Sequence, residues 1–412
     1  TDGTYPTLPE KDETVVLEHT SANPTGPLHV GRARNPIIGD SLARVLRAAG
    51  YDVTVEYYVN DMGRQVATIA WALDEFDEEE VPDLEGRDKG DHDVVRYYRR
   101  ANDVLEGEGG KEYAERAERE IDELLQALED GEEGALEHVG EAVDRCLDGQ
   151  LETLERLGAS YDDFVRESGF VLDGSVEDIA SRLKADARSY EEENAHALDL
   201  TDWGIEKELV FLRGDGTSLY TTRDIAYHLD KFERSDRAVD VLGEDHKLQA
   251  KQLAAALDAL GYDRDPEAIF YSYVNLAAGE LSTRDGNVVN TADLLDEAVE
   301  RARDEIEKRA DDRDRDVEEV GETARAVGIG AVRYDIVARQ PEKPITFRWE
   351  EALNFDGQHA PYVQYVGARA SGILEKADAE PTDPQAALEH LNAPEEHALL
   401  HKIGELSGVI ED

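Results

Sequence analysis

The chain has 412 residues, too many for one ordinary hydrophobic core and enough for two or three domains. Its 96 acidic residues against 44 Lys and Arg give a formal net charge of −52 and a pI near 4.4. The single cysteine, Cys146, excludes a disulfide framework and any cysteine-based zinc site. No signal-peptide pattern is present, and no apolar run reaches the roughly 18 residues that a membrane span needs. A soluble, cytoplasmic protein with no membrane partner is expected. The acidic residues are spread through helical segments, and 40% hydrophobic content argues against disorder. The charge reads as adaptation to salt, because at about 1 M the Debye length falls to roughly 3 Å and like charges hardly repel.

In chain order, Thr14–Leu17 is a short β-rich run. It enters a tight Pro/Gly turn, and a helix is expected to begin near His29 with small and basic residues on its first turn. A strand feeding a helix N-terminus in this way presents free N–H groups and the positive dipole end to an anion. Gly31 lets a flat base or phosphate approach the backbone, while His29, Arg32 and Arg34 supply side-chain donors. Residues 36–50 have apolar spacing near the helical period with Gly50 as a stop, and Asp52–Val59 reads as a buried strand. Strand–helix–strand is the opening of a doubly wound nucleotide-binding sheet.

After Asn60-Asp-Met-Gly-Arg-Gln65 the chain turns acidic, helical and rich in Glu, Ala and Leu. This is expected to be a helical insertion between two halves of the sheet. Strand character resumes at Leu209–Arg213, followed by a hairpin-like turn at Gly214-Asp-Gly216 and by Ser218-Leu-Tyr220. A helix over about 222–232, a strand over 238–242, a helix over 246–260 ended by Gly261, and a strand over 269–274 come next. From Thr291 to the end the pattern is helical. The expected segments are 1–65 and 206–290 for the two halves of the catalytic sheet domain, 66–205 for a mainly helical insertion, 291–350 for a helical connector and 351–412 for a final helical unit.

Three motifs carry a family resemblance. The run Ser21-Ala-Asn-Pro-Thr-Gly-Pro-Leu-His-Val-Gly31 resembles the HIGH region of class I aminoacyl-tRNA synthetases, in the form found in arginyl-tRNA synthetases. Ala22, Asn23, Pro24, Thr25, Gly26, Pro27, Leu28, His29, Val30, Gly31 and Arg32 make up this match. Glu280-Leu-Ser-Thr-Arg-Asp-Gly-Asn-Val-Val289 is similar to the mobile KMSKS-type loop of the same class. Asn354-Phe-Asp-Gly-Gln-His-Ala-Pro-Tyr-Val-Gln-Tyr-Val-Gly-Ala-Arg-Ala370 resembles the entry to the family's all-helical anticodon-binding domain. The resemblance covers nearly the whole chain. It implies an α/β fold: a Rossmann-type parallel-sheet catalytic domain with a helical insertion, then the start of an anticodon-binding domain. That last domain is expected to be incomplete at residue 412, and the family's N-terminal domain is missing, so a fragment is expected.

The resemblance implies an arginine–tRNA ligase whose substrates are arginine, ATP with Mg2+ and tRNA(Arg), with no tightly bound protein metal, acting as a monomer. Its first step is an in-line attack of a carboxylate on the α-phosphate. That step needs positioning and charge stabilisation and no protein nucleophile. His29, Arg32 and Arg284 are the implied catalytic residues; Pro27, His29, Gly31, Arg32, Ser282, Thr283 and Arg284 are the implied ATP contacts. Glu18, Asn23, Tyr220, Asp224, His246 and Gln252 match positions implied to line the arginine pocket, Gln252 being favoured over Gln249 by its spacing to Gly261. A guanidinium calls for carboxylates that accept parallel hydrogen bonds and for an aromatic face.

Bland readings stand beside these. His29 could cap the helix, Asp224 could be a salt-bridge partner, and His246 with its glutamines could cap and solvate a helix. Asn60, Asp61 and Arg64 either line the pocket mouth or form a plain turn. The chain also departs from the family pattern. Arg32 replaces a second histidine, and Glu280, Thr283 and Asp285 stand where cations are usual. These charge reversals support a rival reading, a catalytically weak tRNA-binding paralogue; another class I synthetase and a nucleotidyltransferase indifferent to tRNA are further rivals. The acidic surface opposes RNA, so Arg32, Arg34, Arg44, Arg47, Arg96, Arg99 and Arg100 are candidate RNA contacts.

Overall fold

The computed structural model describes residues 8–83, 87–192, 194–214, 216–276, 290–309, 317–354, 359–377 and 390–411. The KMSKS-like residues Glu280, Ser282, Thr283, Arg284 and Asp285 lie outside these ranges, as do residues 355–358 of the third motif.

The first strands are β1 (Thr14–Glu18), β2 (Asp52–Val59) and β3 (Asp163–Arg166). They are followed by β4 (Ser189–Glu192), β5 (Ala195–Leu198), β6 (Leu209–Arg213), β7 (Arg237–Gly243) and β8 (Glu267–Tyr271). The central sheet has the order β3-β2-β1-β7-β8, and every neighbouring pair is parallel. Parallel strands are covered on both faces, so they carry continuous apolar runs such as Val15, Val16 and Leu17. From β1 the chain steps outward to β2 and β3, then returns on the other side at β7 and β8. The direction therefore reverses between β1 and β7, where ligands of such sheets bind beyond the carboxyl ends of the strands.

Helix α1 (Arg34–Ala48) covers one face, packing Ile38 and Ala43 against Val15, Leu17, Val53, Val239 and Val241. Its Gly39 permits close approach to the end of β1, since a Cβ there would meet the His19 ring at 2.2 Å. After β2 come the helices α2 (Arg64–Glu75), α3 (Gly90–Leu105), α4 (Lys111–Glu129) and α5 (Glu133–Leu157). They bury Trp71, Phe76, Tyr97 and Ile121 among themselves. On α5 the buried Ala135, Val139, Ala142, Val143, Cys146 and Gln150 recur at helical spacing, and Gly158 at φ +82° ends the helix.

The expected helical stretch 66–205 also contains three strands. After α5 the chain enters β3, which joins the central sheet beside β2; α6 (Glu167–Leu172) and α7 (Ser175–Ala185) then lead to β4 and β5. With β6 these form a separate antiparallel sheet. The sequence Asp-Phe-Val-Arg of β3 is a short edge strand with no fully buried residue, so it leaves little apolar signal. Helix α8 (Tyr220–Arg234) begins two residues before its expected start, and α9 (Lys247–Ala259) follows β7.

The expected strand over 269–274 is broken. β8 stops at Tyr271, Ser272 bonds to the backbone of Pro341 and Glu342, and β9 (Val274–Leu276) starts afresh. β9 pairs in parallel with β10 (Ile345–Phe347), which interrupts the helical run expected from Thr291 onward. Around it lie α10 (Thr291–Arg309), α11 (Val317–Val337), α12 (Trp349–Ala352), α13 (Ala360–Lys376) and α14 (Pro394–Glu411). A Cβ on Gly328 would lie 2.5 Å from the Ala298 carbonyl, so glycine is what lets α11 approach α10. No described helix is long and apolar enough to cross a membrane.

Candidate active site

Beyond the carboxyl ends of β1 and β7 lies a cavity of about 460 Å3. Its floor is built by strand register. Glu18, the last residue of β1, pairs with Asp240 of β7, which puts two carboxylates side by side at the point where the strand order reverses. The backbone leaving β1 is held in an unusual conformation, with Thr20 at φ +75° and Ser21 at φ +41°. Three contacts fix it. Asn35 of α1 accepts from the Thr20 N–H and donates to the Val241 carbonyl, while the Thr20 hydroxyl meets the Tyr161 hydroxyl at 2.7 Å. Strain of this kind persists where the surroundings over-determine it, often beside a functional site.

One wall comes from α8. Asp224, His228 and Lys231 share a face of that helix at i, i+4 and i+7. Lys231 has no exposed side-chain surface; its Nζ donates to Glu18 Oε2 at 2.6 Å and to Asp240 Oδ1 at 2.7 Å. His228 Nε2 lies 2.9 Å from Asp240 Oδ2, and Nδ1 lies 2.8 Å from the Asp224 carbonyl and 3.2 Å from its carboxylate. Burial and the Lys231 ammonium oppose a charge on this imidazole, but Asp240 and Asp224 outweigh them and raise its pKa to about 10. Asp240 moves the other way: burial alone would raise it, but Lys231 and His228 hold it well below the usual carboxylate range. Glu18, His228 and Asp240 bring ligand atoms close enough together to suggest a metal site. The Lys231 ammonium already bonds to both carboxylates and takes the place of such a cation.

The Ser21 hydroxyl donates to Glu18 Oε1 at 2.7 Å, so both Glu18 oxygens have partners. Opposite, Tyr58 lines the cavity and stacks on Tyr227 with ring centroids 4.6 Å apart, and its buried hydroxyl has no hydrogen-bond partner among the described residues. Glu167 closes this end. Burial pushes its carboxyl up to about 7 against the pull of Arg223, with Asp61 and Glu129 adding to the rise. Asn60 directs its amide nitrogen at Glu167 Oε2 and the Met62 carbonyl.

Of the residues expected from sequence, the cavity brings together Glu18, Ala22, Asn23, Leu28, Arg32, Tyr220, Asp224 and His246. It takes Gln249 in place of Gln252. The Gln252 amide donates to the carbonyls of Lys207 and Glu208 at 3.1 and 3.0 Å, tying α9 to the approach to β6, whereas Gln249 is one turn nearer the strand end and lines the cavity. Spacing to Gly261 was a poor guide because the helix stop does not fix which face turns inward. Asp61 is buried and accepts from the backbone and hydroxyl of Ser168, and Arg64 pairs with Asp122, so neither lines the cavity. Sequence reasoning also missed His228, Lys231, Asp240, Tyr58 and Glu167. The Asp-x3-His-x2-Lys spacing on α8 and the single acid in the apolar run Ala238-Val-Asp-Val241 were the available signals.

Pro27, His29 and Gly31 lie at the neighbouring turn and do not line this cavity. The Gly31 N–H donates to His29 Nδ1 at 3.0 Å, so His29 does cap its short 3-10 turn at Val30–Arg32. With Nδ1 accepting, the neutral ring carries its proton on Nε2. Burial and then Arg32 depress its pKa, which favours this neutral donor form. A Cβ on Gly31 would come within 2.9 Å of that Nδ1, so glycine is needed here. The described residues Val274, Asn290 and Thr291 pack beside this turn. β9 ends at Leu276, with the Val274 carbonyl 3.8 Å from a Cβ placed on Gly31, while Asn290 bridges to His29 and Thr291 N–H donates to the Leu28 carbonyl.

Most candidate RNA arginines have internal partners. Arg34 is buried and donates to the carbonyls of Ser272, Gln340 and Lys343 at 2.7–2.8 Å. Arg44 pairs with Asp40, Arg47 with Asp162, Arg96 with Asp93, and Arg100 with Glu108. Arg32 and Arg99 are exposed. A larger cleft of about 810 Å3 between α5, α10 and α11 is lined by Glu155, Asp296 and Glu300 against Arg156, Arg303 and Arg325, and lies away from the strand ends.

The family described as "tRNA synthetases class I (R), catalytic domain" matches residues 2–349. The arginine–tRNA ligase of Halorubrum lacusprofundi is 57% identical over 381 residues, covering 91% of this chain and 63% of that protein. That of Haloarcula marismortui is 54% identical over 416 residues, covering all of this chain and 71% of that protein. The chain thus spans roughly two thirds of the length of these relatives. Among solved structures, Thermus thermophilus arginyl-tRNA synthetase superposes with a TM-score of 0.80 at 30% identity, over 99% of this chain and 72% of that one. A putative arginyl-tRNA synthetase from Campylobacter jejuni gives 0.69 at 27% identity, over 99% and 82% of the two chains. With its parallel sheet, its acidic cavity at the strand reversal and its family match over more than four fifths of its length, this chain belongs to the class I arginyl-tRNA synthetase family.

Proposed function

We infer that the chain is the catalytic portion of an arginine–tRNA ligase. The observation that carries this reading is the cavity at the β1/β7 reversal, with Asp224, Glu18 and Asp240 on one side and Arg32 towards the His29 turn on the other. One end suits a cationic side chain, and the other suits an anion. ATP, taken as its magnesium complex, would lie along the His29–Gly31 turn, with His29 Nε2–H and Arg32 donating to phosphate oxygens. Pro27 and Gly31 shape that turn, and Ser282, Thr283 and Arg284 of the KMSKS-like motif would supply further contacts to ATP. Arginine would place its guanidinium against Asp224 and Tyr220, with Asn23, Gln249 and His246 nearby.

In the first step a carboxylate oxygen of arginine attacks the α-phosphorus, a P–O bond forms, and pyrophosphate leaves with the electron pair of the broken P–O bond. In the second, a hydroxyl of the terminal tRNA ribose attacks the activated carbonyl and AMP leaves. Neither step needs a protein nucleophile, so the residues act through placement and charge. We also read residues 206–290 as the second catalytic half and 351–412 as the beginning of an anticodon-binding unit. The acidic composition and the haloarchaeal relatives support work in a salt-rich cytoplasm.

The test is arginine-dependent ATP–pyrophosphate exchange in multimolar KCl, with and without tRNA(Arg). Exchange that requires arginine supports the reading. Arginine-independent exchange would overturn it in favour of another class I synthetase or a nucleotidyltransferase, and no exchange under any condition with tRNA bound would overturn it in favour of a tRNA-binding paralogue.

A further inference from the structure

We propose that His228 is a positioning residue that fixes Asp224 for the substrate's cationic head, acting as an imidazolium clamped between Asp240 and Asp224. The inference rests on the arginine reading of the cavity and deepens it. His228 cannot itself recognise the substrate, because both ring nitrogens are occupied. Nε2 is 2.9 Å from Asp240, and Nδ1 reaches the carbonyl of Asp224 at 2.8 Å and its carboxylate at 3.2 Å. The ring is almost fully buried, while the Asp224 side chain is 42% exposed at the cavity. His228 therefore joins a rigid strand to a carboxylate that faces solvent.

Charge balance gives this joint its purpose. The wall formed by β1, β7 and α8 holds three carboxylates, Glu18, Asp240 and Asp224, and two cations, Lys231 and His228. Asp240 has one oxygen on each cation. Glu18 has one on Lys231 and one on Ser21. Asp224 is the carboxylate with an oxygen that no described residue occupies, and one negative charge remains uncompensated. These five groups thus leave room for one cationic group at Asp224, while Arg32, Glu167 and Asp245 line other parts of the same cavity. An Asp224 free to rotate would have to be ordered on binding, and that loss of side-chain freedom would weaken affinity. With His228 protonated and held by Asp240, that ordering is already in place. Among the described residues, Lys231 and Tyr227 on the same helix and Glu18 on β1 also lie near the ring, and Tyr58 of β2 lies near Asp224, but the Tyr58 hydroxyl makes no hydrogen bond and none of these groups holds the Asp224 carboxylate.

The experiment measures arginine and ATP affinity by calorimetry for the unmodified chain, His228→Gln, Asp224→Asn and the double variant. His228→Gln should weaken arginine about tenfold and leave ATP unchanged, and Asp224→Asn should weaken it about a hundredfold. Because His228 acts through Asp224, the double variant should bind no worse than Asp224→Asn within about a factor of two. Multiplying fold-changes, an unchanged arginine affinity in His228→Gln, or an equal loss for ATP would each overturn the proposal. Should His228→Gln fail to fold, nitrogen-15 imidazole spectra of the unmodified chain decide. A doubly protonated His228 ring at pH about 8 that shifts on arginine addition supports the proposal; a neutral or unresponsive ring overturns it. Absence of arginine binding by the unmodified chain would instead overturn the arginine–tRNA ligase reading itself.

Discussion

Replacing Lys231 by methionine tests the buried charge network most directly. The two side chains are close in volume, so the change mainly removes an ammonium with no exposed surface, 2.6 and 2.7 Å from two carboxylates that are 13% and 4% exposed. Breaking a buried ion pair from one side costs about 3–5 kcal/mol, because the partner charge is left stranded. Here each carboxylate keeps one other partner, Ser21 for Glu18 and His228 for Asp240, which places the expected loss near the lower end, about 3 kcal/mol. Urea unfolding followed by far-UV circular dichroism would measure it. In Lys231→Met combined with Glu18→Gln part of the stability should return, since the stranded charge is gone while the methionine packing is the same. The deficit should also persist in multimolar salt, because buried pairs are screened far less than surface pairs. A loss below about 1 kcal/mol, or a double variant less stable than the single, would refute the argument that stranded charge is the dominant cost.

Three further outcomes are expected. Stability should fall at both ends of the pH range. The raised His228 contributes fully below its ordinary 6.5 and is lost as pH climbs through about 10, whereas the depressed Asp240 contributes above its ordinary 3.8 and is lost as pH falls below that value. His228→Gln should flatten the alkaline limb in urea titrations, and an unchanged limb would assign it to other groups. Gln249→Ala should raise the arginine KM several-fold with little change in unfolding midpoint, and Gln252→Ala should do the reverse, costing about 1–3 kcal/mol of stability through two orphaned carbonyls; the opposite pattern would restore Gln252 to the pocket. Gly39→Ala should destabilise by about 1–3 kcal/mol, read as a lowered urea midpoint, because a Cβ would overlap the buried His19 ring.

The alternation of strand and helix around the first motif made the catalytic sheet legible, and β1, α1 and β2 lie close to where apolar spacing puts them. The long helices α2 to α5 were legible for the same reason, since each carries an apolar stripe wide enough to read. β3 and β10 were not, because strands of four and three residues at sheet edges leave too few apolar positions to set a period. In the cavity, several lining residues lie next to motifs and could be named from sequence, whereas those brought there by tertiary placement left little signal. Asp240 looks like an isolated acid in a hydrophobic strand until the parallel register sets it beside Glu18. Arg34 illustrates the reverse. One-dimensional context made it a phosphate or RNA donor, yet its guanidinium is buried and holds together three carbonyls from Ser272 and the segment before β10.

The same arginine shows how so acidic a protein uses its few cations. A net charge of −52 attracts arginine and repels ATP and tRNA, and salt at about 1 M shortens the range of both effects to roughly 3 Å. Recognition then depends on groups in contact with the ligand and on groups that salt does not reach. Lys231, His228 and Asp240 are of the second kind: each is buried, and each is bonded to another member of the network. An exposed carboxylate backed only by water would lose much of its pull on a guanidinium in such salt. Asp224 differs because its orientation is set from behind by an imidazolium that has no contact with bulk ions. Among the described residues anion binding has no comparable support, since Arg32 is exposed beside the His29 turn. ATP affinity should consequently vary with salt more steeply than arginine affinity. Calorimetric titrations of the two ligands across a range of KCl concentrations would check this, and parallel salt slopes would show that the buried network gives arginine recognition no protection.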